Sequence, residues 1–211
     1  MPVFKSGKGL APGWCEMEYF DITELAPGDT HAFERVGEKE KLIVCRGKCR
    51  ISVGDRTIDV EQGANLDLSA PGEAFEIVDV QEDSTLIRMC GRWGDAVGGS
   101  GIFPIWPAED PHDGGDPVPY PKETSFDNHF HDCDEYWIFF SGRCIAVSEG
   151  RFYEVGPGDC VVTGMGHHHD VQRVIEPGAA VFFETTMEGE KRPGHLWEHT
   201  HGPAEPKPER V

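Results

Sequence analysis

The chain matches itself. Displaced by 95 positions, so that Gly47 falls on Gly142, the segment EKLIVCRGKCRISVGDRTIDVEQG lies on EYWIFFSGRCIAVSEGRFYEVGPG without a gap. Glu40 then meets Glu135, Ile43 meets Ile138, Cys49 meets Cys144, Arg56 meets Arg151, Val60 meets Val155 and Gly63 meets Gly158. A gapless match that keeps turn glycines and apolar runs together is the signature of a duplicated unit. Three strand-like runs recur in each copy: 41–45, 49–53 and 57–60, then 136–140, 144–148 and 152–155. Strands this short, separated by turn residues, predict an all-β sandwich or barrel in each half.

Composition agrees with many turns, since the chain has 26 glycines and 16 prolines. Six prolines (104, 107, 111, 117, 119 and 121) crowd between the halves and cannot donate to a central ladder. The expected organisation is an N-terminal barrel over 1–103, a proline-rich linker over 104–122, a C-terminal barrel over 123–190 and an extended tail over 191–211. That tail is expected to lie over the surface or onto a neighbouring subunit. A short helix is expected only at 22–26 or in the tail.

The 19 Lys and Arg against 38 Asp and Glu give a net charge of −19, which repels phosphate backbones and anionic lipid. Neither nucleic acid nor membrane is an expected partner; a small-molecule substrate is. The seven cysteines form no CxxC pair and read as reduced thiols of a cytoplasmic protein.

The stretch NHFHDCDEYWIFFSG carries the chemistry. Residues two apart on a strand share a face, so His129 and His131 project together, and a hairpin through DCD can return Glu135 beside them. Thirty residues later GPGDCVVTGMGHHHD offers one more imidazole, from His167, His168 or His169. Three imidazoles and one carboxylate suit one divalent transition metal: Fe, Mn, Zn, Ni or Cu. Trp137 and Phe139 share the inward parity of Glu135; they are expected first as barrel core and second, with His167, as the wall of a substrate pocket. His195, His199 and His201 lie on no fixed scaffold and are expected to be solvated.

The pattern HxHxxxExxxxxxG at His129, His131, Glu135 and Gly142 resembles the first motif of the cupins, and Gly158, Gly166 and His169 resemble the second. Glu123, Gly164 and Arg173 depart from the family at positions that are not ligands. The resemblance implies His169 as the last ligand. With the repeat, it implies a bicupin, two tandem jelly-roll barrels, and a homodimer. In the first half only Glu40 of the ligand set remains, because His129 falls on Glu34 and His131 on Val36. The N-terminal barrel is therefore expected to be metal-free.

A metal held this way can polarise a carbonyl, which suits isomerase, epimerase or lyase chemistry on a small carbohydrate-type or hydroxy-carbonyl compound. The resemblance equally implies a mononuclear iron dioxygenase. A sugar-binding module without catalysis is the alternative outside enzymes.

Overall fold

The computed structural model describes residues 2–7, 11–68, 74–108 and 114–211. Positions 109–113 of the expected linker lie outside them. The strands in chain order are β1 Val3–Lys5, β2 Met17–Leu25, β3 His31–Phe33, β4 Lys39–Arg46, β5 Lys48–Val53, β6 Arg56–Glu61 and β7 Asn65–Asp67. They continue as β8 Phe75–Val80, β9 Ser84–Gly91, β10 Val97–Ile105, β11 Glu135–Ser148, β12 Arg151–Val155, β13 Asp159–Thr163 and β14 His169–Thr186. One short helix, α1, covers Glu198–His201 in the tail, whereas residues 22–25 belong to β2. No helix is long and apolar enough to cross a membrane among the described residues.

The chain divides into two compact units, Ser6–Trp93 and Met1–Lys5 with Gly94–Val211. The boundaries differ from those expected because the second unit recruits strands from outside its repeat. β1 pairs with β13, and β10 pairs with β14 from Val97↔Thr186 to Ile105↔Gly178. Backbone pairing, which sequence similarity does not register, decides membership.

The first unit holds two four-stranded antiparallel sheets, β2-β9-β4-β7 and β3-β8-β5-β6. Leu42, Val44 and Leu86 from one sheet meet Ile51, Ile77 and Phe75 from the other in one core. β5 shows the reason in its sequence: Cys49, Ile51 and Val53 are buried while Lys48, Arg50 and Ser52 alternate with them. Gly47 joins β4 to β5 at φ +84°, where a Cβ would strike Asp83 and Ser84. Its repeat partner Gly142 has φ +73° and the same need, with Glu176 and Gly178 against it. There the chain does not break into two strands as expected. β11 runs through, absorbing the glycine in register shifts between Phe139 and Arg143.

The second unit is built on the sheet β1-β13-β11-β14-β10, with β12 hydrogen-bonded to β11. All seven cysteines are buried thiols. Burial pushes the Cys45 and Cys144 thiols up to about 12, so both act as small core fillers.

The fate of Glu40 is instructive. It is fully buried, and its Oε1 accepts the Val36 N–H at 2.6 Å and the Gly37 N–H at 3.3 Å. Its Oε2 lies 3.7 Å from the Arg88 guanidinium. Arg88 itself is buried, donates to Asp21 at 2.5 and 3.0 Å and to the Glu34 carbonyl at 2.7 Å, and lies over the Phe33 ring at 5.0 Å. A tethered cation thus serves the carboxylates inside this unit. Removing one member of such a buried set strands the others. Arg88→Met is expected to destabilise the full chain by about 3–5 kcal/mol in chemical denaturation; a loss below about 1 kcal/mol would show the network to be incidental.

Candidate metal centre

The sheet of the second unit sets the site row by row. Antiparallel pairing places Glu135 opposite both Glu184 and Thr163, and Glu184 opposite Gly99. Two residues deeper, Trp137 lies opposite Phe182 and Val161, and Phe182 opposite Gly101. One row further, Phe139 lies opposite Ala180, and Ala180 opposite Phe103. One sheet face therefore reads carboxylates at the rim, aromatics next, and packed core below. Glycines at 99 and 101 leave β10 without side chains where Glu184 and Phe182 need room. A Cβ on Gly98 would run into the Glu184 carboxylate, and one on Gly101 would come within 3.0 Å of the Phe182 ring.

His129 reaches this rim through a short antiparallel bridge to His169. The fold brings together all four residues that the motif reading singled out. His129, His131, Glu135 and His169 are buried, and each offers one ligand atom within 4.8 Å of the others. His131 Nε2 is 3.2 Å from Glu135 Oε2, and His169 Nε2 is 2.5 Å from it.

The outer nitrogens fix the tautomers. His129 Nδ1 is 2.9 Å from the Asp127 carbonyl and His169 Nδ1 is 3.2 Å from the His167 carbonyl, so both Nδ1–H groups donate outward. Their Nε2 lone pairs then face the cluster. His129 Nε2 and both His131 nitrogens are buried without a satisfied hydrogen bond, His131 Nε2 lying against the Glu135 carboxylate. With Nδ1 donating, His169 Nε2 meets Glu135 Oε2 at 2.5 Å only with positive charge between them, either a second proton on the ring or a bound cation. The residues fit a divalent metal, and the donor set of nitrogen and oxygen suits a first-row ion.

Electrostatics point the same way. Burial alone would raise the Glu135 carboxyl, but His131 and His169 beside it hold it well below the usual carboxylate range. Burial, with His169, His131 and His195 around it, keeps the His129 imidazole well below its usual value. Burial would lower His131 too, but the facing Glu135 and Glu184 raise it.

Behind the cluster is a cavity of about 280 Å³ walled by Phe103, Phe126, Trp137 and Phe182, with His129, Glu184 and His195 at its polar end. Of the three side chains expected to wall a pocket, Trp137 does so. Phe139 does not: two residues deeper on β11, it is fully buried in the core. His167 does not either. Gly166 turns the chain at φ +78°, and the His167 ring meets the Lys207 carbonyl at 2.9 Å and Glu149 at 3.6 Å.

Sequence reasoning missed Glu184 and His195. Glu184 Oε1 lies 3.7 Å from His131 Nδ1, and burial raises its carboxyl pKa. The tail docks on its own unit. Leu196 bridges to Phe130, and Asp116 accepts the Glu198 N–H at 2.7 Å and meets His199 Nδ1 at 2.7 Å. His195, expected to be solvated, stacks on His129 with centroids 3.8 Å apart and rings 9° from parallel. Its Nδ1 is 3.1 Å from Asp127, which also accepts the Trp197 indole N–H at 2.8 Å. Only the parity of Glu184 with Phe182 in the final strand could have hinted at the glutamate, and nothing local marks a tail histidine as docked.

The fold is similar to that of several solved structures. AerE from Microcystis aeruginosa superposes with a TM-score of 0.58 at 9% identity, over 79% of this chain and 87% of that one. A mutant of the Bacillus subtilis oxalate decarboxylase OxdC gives 0.56 at 13%, over 84% and 70%. Protein Ylba from E. coli gives 0.53 at 13%, over 89% and 91%. At these identities the likeness concerns the fold. No family model matches the chain. The uncharacterized protein y4oW of Sinorhizobium fredii (strain NBRC 101917 / NGR234) is 42% identical over 211 residues, all of this chain and 97% of that one, and the chain belongs to the same family as y4oW.

Because bound metal displaces protons from imidazole, affinity is expected to fall as the solution is acidified through the histidine range. Chelator competition measures this. His131→Ala and Glu135→Gln are each expected to abolish a stoichiometry of about one ion per chain while far-ultraviolet dichroism keeps its β signature.

Proposed function

We propose that the chain is a tandem pair of cupin barrels whose second barrel is a metal-dependent enzyme acting on a small hydroxy-carbonyl compound, by isomerisation or elimination. The duplication supports the tandem reading: Glu40 and Glu135 begin equivalent strands, β4 and β11, and pair with Cys90 on β9 and Glu184 on β14. His129, His131, Glu135 and His169 would hold the ion. Mn(II) is the ion we favour, because it suits nitrogen and oxygen donors and because a structure of the B. subtilis oxalate decarboxylase (TM-score 0.53, 12% identity over 83% of this chain and 70% of that one) concerns its Mn(II) centres.

The observation that carries the enzymatic reading is Glu184. It is a buried carboxyl outside the four-residue cluster, in the wall of the cavity beside it. When bound, the metal supplies Lewis acidity toward a carbonyl oxygen. Glu135, held by two imidazoles, is not free to carry a proton. Glu184 is, and its raised pKa suits a group that takes a proton from one carbon and returns it to a neighbour. Four aromatic rings line the cavity in which that transfer would occur.

With Mn(II) loaded and an α-hydroxyketone in D₂O, deuterium is expected to enter the carbon beside the carbonyl, followed by NMR. Glu184→Gln should slow this by about 10²–10⁴-fold and keep the metal. Oxygen consumption in place of exchange would transfer the reading to a dioxygenase.

A further inference from the structure

The cavity is amphipathic along its length. Its polar lining groups are His129, which belongs to the cluster, Glu184, which stands beside His131, and His195; the rest of the lining is Gly194 and four aromatic rings. Phe103 is the hub. Its centroid is 6.0 Å from Phe126, 5.5 Å from Trp137 and 6.5 Å from Phe182, at interplanar angles of 73°, 55° and 56°. Rings inclined this way offer both faces and edges, the arrangement in which another ring packs best. Resting on the metal-dependent reading above, we propose that the ligand is a single flat ring, aromatic or conjugated, bearing an α-hydroxycarbonyl group, with no phosphate and no second carboxylate.

Each part of that description has its reason in the walls. An apolar cavity of about 150 Å³ accommodates benzene, so 280 Å³ takes one ring with a short oxygen-bearing arm. A sugar of the same length carries hydroxyls along its whole body, and most would face rings that cannot hydrogen-bond. No Lys or Arg stands among the lining residues, so a phosphate or second carboxylate at the ring end would be buried unpaired. The oxygen pair belongs at the cluster end, where the cation would be. Gly99 matters as well. It lies opposite Glu184, and a Cβ there makes ordinary contact with Phe182 at 3.5 Å, so a larger side chain narrows the ring compartment without straining the backbone.

The test is calorimetric titration of the metal-loaded full chain with three probes: 2-hydroxyacetophenone, hydroxyacetone and fructose. The first two share the oxygen pair and differ by the ring. 2-Hydroxyacetophenone is expected to bind about tenfold or more tightly than hydroxyacetone, with a change in Trp137 fluorescence. Phe182→Ala and Gly99→Leu should each reduce that ratio while metal content stays at the wild-type level. The second variant guards against a general loss of packing in the first. Equal or tighter metal-dependent binding of hydroxyacetone or fructose overturns the ring assignment and leaves the metal reading standing. A ring preference that survives chelation unchanged in strength supports the aromatic compartment and overturns the metal reading. Failure of all three probes to bind overturns the ligand class.

Discussion

An imidazole nitrogen and a carboxylate oxygen pressed together in the protein interior organise this molecule. His169 Nε2 and Glu135 Oε2 stand 2.5 Å apart, with the other His169 nitrogen against a backbone carbonyl. His129 and His131 bring further nitrogens to the same point, buried and without satisfied hydrogen bonds. A protein interior tolerates such a gathering only when positive charge is supplied. A divalent ion satisfies all four groups at once, and the surrounding structure holds them in place: Asp127 and His167 carbonyls behind two rings, the Glu135–Glu184 register of β11 and β14 beneath them, and His195 stacked above.

The two halves solve one electrostatic problem in two ways. Both begin the equivalent strand with a buried glutamate, Glu40 in β4 and Glu135 in β11. Around Glu135 stand imidazoles. Around Glu40 stand two backbone N–H groups and, at 3.7 Å, the guanidinium of Arg88. A side-chain cation cannot leave, bind substrate or change its coordination, so the first unit has the geometry of a scaffold. The second gathers three imidazoles and a carboxylate beside an aromatic cavity.

The sequence made the repeat and the ligand cluster legible because both are local. The glycine pair 47 and 142, the alternation Cys49-Ile51-Val53 and the HxHxxxE spacing all act within a turn or a strand. Strand exchange was not legible: β1 joining β13 and β10 joining β14 are long-range pairings, and they moved the unit boundaries. The second glutamate and the tail histidine were hidden for the same reason. Glu184 matters because it falls opposite Glu135, and His195 because Asp127 and Leu196 anchor the arm. Phe139 and His167 were misplaced by reading parity without depth. Facing inward is not the same as reaching the cavity.

Diffraction from crystals of the protein, collected on either side of the absorption edge of its bound metal, tests the account most directly. The account predicts one anomalous peak per chain, within bonding distance of His129 Nε2, His169 Nε2, Glu135 and His131. A peak elsewhere, or fully metal-loaded crystals without density among these four side chains, would contradict it.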